Sequence, residues 1–379
     1  MIYKEFQDLQ LSALGLGTMR LPVTGEDASS PIDEKKTAEM VDYALAHGVN
    51  YFDTAYGYHG GNSERVTGKV LSGHPRESYY LASKFPGYDL GNMDKVEAIF
   101  EEQLKKCQVE YFDFYLFHNV YEKNIEQYLD PQYGILEYLL KQKENGRIRH
   151  LGFSVHGRYD TMKRFLDAYG KEMEFCQIQL NYLDWTLQNA KAKVELLEEY
   201  KLPVWVMEPL RGGKLANLPE ERAVALRALR PQESIPGWGF RFLQTIPGVT
   251  MTLSGMSNME QLKENIEIYS QEKPLTEEEM KALLQVAGSL VDALPCTACR
   301  YCVDHCPQEL DIPTLLSLYN EVLFLNGVVQ RNAVEFLPEE KRPDHCIGCQ
   351  SCEAVCPQQL KISEAMKNFA EKLKAPIER

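Results

Sequence analysis

No apolar run in the chain approaches the roughly 20 residues needed to cross a bilayer. The N-terminus, MIYKEFQDLQ, lacks the basic-then-apolar pattern of a secretory leader, so a cytoplasmic location and no membrane partner are expected. Basic residues are in deficit, with a formal net charge of −14. An acidic surface repels phosphate backbones, which argues against nucleic acid as a partner and for a plain solvated exterior. The compositional bias of disordered, collagenous or coiled-coil chains is absent: 44% of residues are apolar and 25% charged, the balance of a globular core. Apart from one cysteine run that occurs twice, no internal repeat is visible. The length of 379 residues fits about two domains, or one large barrel with an added piece.

What is present is an alternation of strands and helices. Strand-like runs occur at 14–19, 51–55, 79–85, 112–118, 148–155, 176–183, 204–210 and 249–255. Amphipathic stretches such as 35–47, 94–107, 135–145, 187–200 and 258–268 lie between them. Eight near-continuous apolar strands, each followed by helix, predict an α/β fold of the parallel (β/α)8 barrel type over 1–275. A doubly wound open sheet is the alternative. It normally opens with a glycine-rich phosphate loop, and LGLGTM lacks the GxGxxG fingerprint. A helical linker at 276–294 leads past Pro295 into a second module, 295–379.

Eight of the ten cysteines fall in that module. Cys296-x2-Cys299-x2-Cys302-x3-Cys306-Pro307 is repeated as Cys346-x2-Cys349-x2-Cys352-x3-Cys356-Pro357. This is the iron–sulfur ligation pattern of bacterial ferredoxins, in which the fourth cysteine serves the other cluster. One [4Fe–4S] cluster is then expected on Cys296, Cys299, Cys302 and Cys356, and a second on Cys346, Cys349, Cys352 and Cys306. Structural zinc is the competing reading, but zinc knuckles pair two CxxC loops and have no use for a third cysteine two residues on. The segment between the runs is helical in character, with Pro313 suited to a first turn and Leu315, Leu316, Tyr319, Val322 and Leu323 at helical spacing. The module therefore resembles the mainly α-helical ferredoxin domains of respiratory enzymes. Cys107 and Cys176, in the barrel, read as buried apolar filler.

Barrel active sites lie at the C-terminal ends of strands. There the chain carries Asp53 and Tyr58 in FDTAYGY, Lys84 in SKF and His118 in FHN. An ammonium beside a tyrosine favours phenolate, and a carboxylate can hold the ammonium in place, giving a general acid usable near neutral pH. These blocks, with LGLGTMRL and YFDTAYGY followed by NSE, resemble the aldo-keto reductases over nearly the whole barrel. The resemblance implies NAD(P)H-dependent reduction of an aldehyde or ketone. Tyr58 would be the proton donor, Lys84 and Asp53 would tune it, and His118 would orient the carbonyl.

The same resemblance implies a dinucleotide site. It draws on Gly17, Thr18 and Met19, on Asp53 and Tyr58, and on Ser154 and Gln177 for the nicotinamide amide. Met207, Pro209, Leu210 and Gly212 would come from the EPLRGG loop. Gly255, Ser257, Gln261, Glu264 and Asn265 belong to a segment similar to that of the branch containing potassium-channel β subunits. Ser257-x-x-Glu260 reads as a capping box that opens a helix toward phosphate. Gln261 stands where many members carry arginine, leaving Lys263 and Lys214 as the nearest cations for a 2′-phosphate, with NADPH preferred over NADH. His156 stands where many members carry asparagine, and the cysteine module replaces the family's C-terminal substrate loop. The loop 119–133 is expected to cover the substrate pocket. Nicotinamides move two electrons as hydride, whereas each cluster moves one. The clusters are thus either structural or exchange electrons with a ferredoxin or flavoprotein partner. A third reading is an electron-transfer or redox-sensing adaptor in which the barrel is not the main catalyst.

Overall fold

The computed structural model describes residues 1–25, 30–290, 294, 296 and 299–377. The end of the expected linker at 291–293, Pro295 and residues 378–379 lie outside the described residues. The chain divides into two compact units. The first comprises Met1–Asp184 and Asn189–Met280, and the second Trp185–Gln188 with the chain from Lys281 onward.

The first unit opens on an antiparallel hairpin of β1 (Tyr3–Phe6) and β2 (Leu9–Ser12). Eight parallel strands follow: β3 (Leu14–Gly17), β4 (Tyr51–Asp53), β5 (Tyr80–Phe85), β6 (Phe112–Val120), β7 (Ile148–Val155), β8 (Phe175–Gln179), β9 (Val204–Met207) and β10 (Val249–Ser254). They pair in sequence order, and β10 closes on β3. The expected (β/α)8 barrel is therefore the fold. Closure leaves no edge strand, and both faces of each strand are covered, which is why the strand segments read as near-continuous apolar runs.

The hairpin has no turn signature, and Gln7 takes a left-handed φ of 54° to make the reversal. Its function is visible in Phe6. The Phe6 ring lies 5.0 Å from Trp205, 5.1 Å from His150 and 5.7 Å from Phe114. Tyr51, Phe175 and Met251 share that cluster. Phe6 thus plugs the barrel at the N-terminal ends of its strands, leaving the opposite mouth open.

In the second unit, the helices Ile312–Phe324 and Ile362–Lys374 pack through Leu315, Leu316, Tyr319, Met366 and Phe369. Pro313 falls in the first turn, as expected. The repetition extends beyond the cysteines at a constant offset. Arg300 and Gln350 both adopt positive φ, as do Glu309 and Gln359, and each run leads into one of the two packed helices. Among the described residues no helix is long and apolar enough to cross a membrane.

Replacing Phe6 by Ala should remove the plug and lower barrel stability by about 3–5 kcal/mol. A fall in the urea midpoint followed by tryptophan fluorescence measures this.

Candidate functional site

Several barrel strands deliver residues to the open mouth. Asp53 ends β4 and pairs in register with Gly17 at the end of β3. Lys84 lies one residue before the end of β5, and His118 lies near the end of β6. Lys84 Nζ donates to Asp53 Oδ1 at 2.5 Å and to the Thr54 carbonyl at 2.9 Å. It also approaches Tyr58 Oη at 3.5 Å. The rings of Tyr58 and His118 meet edge to face at 6.0 Å. The four expected catalytic residues are therefore brought together.

Asp53 and Lys84 are both buried. Burial disfavours the Lys84 ammonium, but Asp53 and Tyr58 more than compensate, so Lys84 stays protonated. Burial also raises Tyr58 above the ordinary tyrosine value, and Lys84 only partly opposes it. This corrects the sequence expectation of a lowered Tyr58: in the protein without ligands desolvation outweighs the ammonium. Burial, with the Lys84 charge nearby, holds His118 well below 6.5, so the imidazole is neutral.

A cleft opens beside this group. Gly17, Met19, Asp53, Tyr58 and Gln177 border it from the strand ends. Met207, Pro209, Leu210 and Gly212 border it after β9, and Gly255, Ser257, Gln261, Glu264 and Asn265 after β10. Two expected cofactor residues do not border the cleft. Thr18 Oγ1 donates to the Asp53 carbonyl and meets Ser63 Oγ, which places it underneath. Ser154 Oγ accepts from the Asn119 amide at 2.8 Å.

Sequence reasoning missed Arg20, the one basic side chain among those bordering the cleft. Lys263 stacks instead over the Tyr43 ring at 5.4 Å. Gly212, at φ 65°, makes room for Arg20: a Cβ there would lie 2.8 Å from Arg20 Nη2. Glu208, also missed, borders the cleft; burial raises its carboxyl, with Arg20 opposing. Arg20 directly follows the quoted GTM and could have been found. Tyr88, whose ring stands edge-on to His118 at 5.1 Å, carried no sequence signal.

One local expectation changes, and the segment 119–133 gains detail. The helix after β10, Met259–Ile268, is capped by Asn258, whose side chain accepts from Gln261 N, rather than by Ser257. Gln261 Oε1 reaches back to Ser257 N at 2.8 Å, so the reciprocal cap is displaced by one residue. The segment 119–133 holds the short helix Ile125–Leu129, and its Tyr128 is buried, donating to the His118 carbonyl at 2.9 Å. Tyr128 packs under the site rather than presenting a ring to ligand.

In the second unit, Cys296, Cys299, Cys302 and Cys356 line one small cavity. Cys346, Cys349, Cys352 and Cys306 line another. The fourth cysteine of each run thus turns to the other run's cavity, the crossed grouping read from the spacing. Burial, together with the neighbouring Cys296, Cys299 and Cys356, pushes Cys302 up to about 11. Cys107 and Cys176 are buried in the barrel, as expected of apolar filler.

The aldo/keto reductase family model matches residues 13–287, and a 4Fe-4S dicluster domain model matches 295–361. The chain belongs to the aldo/keto reductase family, is an oxidoreductase, and carries a 4Fe-4S dicluster domain at its C-terminus. It is 27% identical over 306 residues to the uncharacterized oxidoreductase YqkF of Bacillus subtilis, covering 73% of this chain and 92% of that one. It is also 27% identical over 227 residues to the NADH-specific methylglyoxal reductase of Escherichia coli, covering 55% of this chain and 67% of that one. An aldo-keto reductase from Klebsiella pneumoniae, solved with NADPH, superposes with a TM-score of 0.60 at 20% identity, covering 76% of this chain and 96% of that one.

His118 takes a proton less readily in the folded chain than at its ordinary value of 6.5. As pH falls below about 6.5 the unfolded chain binds the proton first, so stability should drop on acidification through this group. The denaturation midpoint of His118→Gln should show a shallower acid dependence than that of the wild type.

Proposed function

We propose that the barrel is an NAD(P)H-dependent carbonyl reductase acting on a small aldehyde or ketone, and that the C-terminal module holds two [4Fe–4S] clusters. The observation that carries the first part is Lys84 Nζ set between Asp53 and Tyr58 Oη at the edge of the cleft. Gln177 Oε1 is buried in that cleft's wall without a hydrogen-bond partner, so it fits a carboxamide donor such as that of nicotinamide. Gly17, Gly212 and Gly255 let backbone approach a dinucleotide closely, and Arg20 supplies the cation that phosphate needs.

The bound dinucleotide supplies the hydride to the carbonyl carbon. The neutral His118 imidazole has one N–H with which to orient the carbonyl oxygen. Tyr58, kept protonated by burial, gives its proton to that oxygen, so carbonyl plus hydride plus proton balance as an alcohol. Lys84 then stabilises the phenolate left behind, held in place by Asp53. Arg20 offers the cleft a cation for a dinucleotide phosphate, of NADPH or of NADH.

For the module, each cavity is lined by four cysteines, the number a [4Fe–4S] cluster takes, and the third cysteine two residues on is the spacing that zinc knuckles do not use. The thiols of Cys299 and Cys349 are exposed, which favours a second reading in which the clusters pass electrons to a ferredoxin or flavoprotein. The proposed boundaries are 1–275 for the barrel, 276–294 for the linker and 295–379 for the module. A cytoplasmic location, where thiols stay reduced, is part of the same reading.

Tyr58→Phe should lower kcat for carbonyl reduction by about 100-fold or more while dinucleotide binding persists. Unchanged turnover, with binding followed by nicotinamide fluorescence, would remove Tyr58 from the mechanism. Cys356→Ser should perturb the cluster on Cys296, Cys299 and Cys302 and spare the other. Iron content and electron paramagnetic resonance after anaerobic purification decide this, and loss of the second signal instead would overturn the grouping. Adding NADPH to the same anaerobic protein separates the two readings of the module. Bleaching of the cluster absorbance supports electron transfer, whereas an unchanged spectrum with NADPH bound leaves the clusters structural.

A further inference from the structure

Behind the tetrad lies a second buried ion pair that the chemistry above does not use. Successive strand residues point to opposite faces, so Ser83 turns away from the mouth that Lys84 faces. It meets two helices there, Ser63–Leu71 and Val96–Cys107. Ser83 Oγ donates to Glu64 Oε1 at 2.7 Å. The Gln103 amide donates to the same oxygen at 2.7 Å and to the Lys84 carbonyl at 3.0 Å. Tyr115 Oη donates to Gln103 Oε1 at 2.6 Å, which fixes the orientation of the amide. Lys106 Nζ lies 2.8 Å from Glu64 Oε2. Glu64, Gln103 and Lys106 are all buried. The helices meet closely because Gly68 has no side chain: a Cβ there would lie 2.4 Å from the Cys107 carbonyl carbon.

Lys106 also touches the segment that carries Tyr58. Its ammonium stands 4.2 Å from the Tyr56 ring centroid, and Tyr56 Oη donates to Glu102 Oε2 at 3.0 Å. The Tyr58–Gly61 turn contains His59 at φ 50° and Gly60 at φ 63°, and belongs to no sheet. Contacts from outside must therefore hold its conformation.

We propose that Gln103 and Lys106, one turn apart on a single helix face, are positioning residues that jointly set the Tyr58–Lys84 contact. Gln103 holds Lys84 through its carbonyl. Lys106 holds the Tyr58 segment on both sides, through Tyr56 before it and Glu64 after it. Neither residue touches substrate. This inference rests on the reading of Tyr58 as proton donor. The charged and titratable groups facing Tyr58 are Lys84 and Asp53 from β5 and β4, His118 from β6, Tyr88 after β5 and Glu208 after β9.

The test uses the full-length holoprotein with saturating dinucleotide and a panel of small aldehydes. Gln103→Met removes the donor to the Lys84 carbonyl. The double variant Glu64→Gln with Lys106→Met removes both charges, so no orphaned buried ion confuses folding. Lys106→Arg keeps the cation. In Gln103→Met and in the double variant, kcat should fall between about tenfold and about 100-fold, with the dinucleotide KM unchanged. Loosening the ammonium from Tyr58 weakens its support of phenolate, so the basic limb of the kcat–pH profile should move to higher pH. Lys106→Arg should retain the wild-type limb. A wild-type pH profile in the variants, or parallel losses in kcat and dinucleotide affinity, overturns the proposal. If Tyr58→Phe retains turnover in the same assay, the proton-donor reading fails first. If Tyr58→Phe is dead while the variants titrate like wild type, only the positioning role fails.

Discussion

A lysine ammonium buried against an aspartate carboxylate at 2.5 Å is the constraint around which the barrel site is organised. Taking both charges out of water is expensive and is tolerated only with close geometry and further hydrogen bonds. Asp53 and the Thr54 carbonyl supply that environment for Lys84, and Tyr58 completes it. The pair requires strands β4 and β5 to be neighbours in fixed register, which barrel closure enforces. The same burial that makes the ammonium costly raises Tyr58 above the ordinary tyrosine value.

The cysteine module follows a different logic. Its two cavities are assembled by exchanging the fourth thiol of each run, so neither can form without the other. The core between them is small, with Leu310, Ile312, Leu360 and Ile362 at equivalent places in the two repeats. Cys302 and Cys352 belong to that same apolar cluster. A small core with exchanged thiols gains much of its cohesion from whatever the thiols bind.

The two halves differ in how far local sequence reaches. The strand runs at 51–55, 79–85 and 112–118 were legible because a buried parallel strand needs continuous apolar residues. The hairpin Tyr3–Phe6 with Leu9–Ser12 was not, because its turn uses Gln7 in a left-handed conformation that no glycine or asparagine announces. Tyr58, Lys84, Asp53 and His118 are legible from their sequence blocks, and the crossed grouping of the thiols from the cysteine spacing. Glu208 and Tyr88 enter the site only through a loop's path in space, whereas Arg20 directly follows GTM and was open to reading from the sequence. Ser257 as the helix cap was off by one residue: the Asn258 side chain, next in the chain, accepts from Gln261 N.

Sequence alone therefore determined the identity and order of the parts: eight strands, four polar residues at or just beyond the ends of adjacent strands, and two cysteine runs of fixed spacing. These follow from short-range rules, the period of apolar burial and the reach of neighbouring thiols. Tertiary structure alone decided which charge prevails. That Tyr58 is raised and not lowered, and that Arg20 and not Lys263 borders the cleft, depends on burial and on distances between residues remote in the chain. Desolvation and Coulomb energies vary with those distances and with the surrounding medium, and neither is written in local sequence.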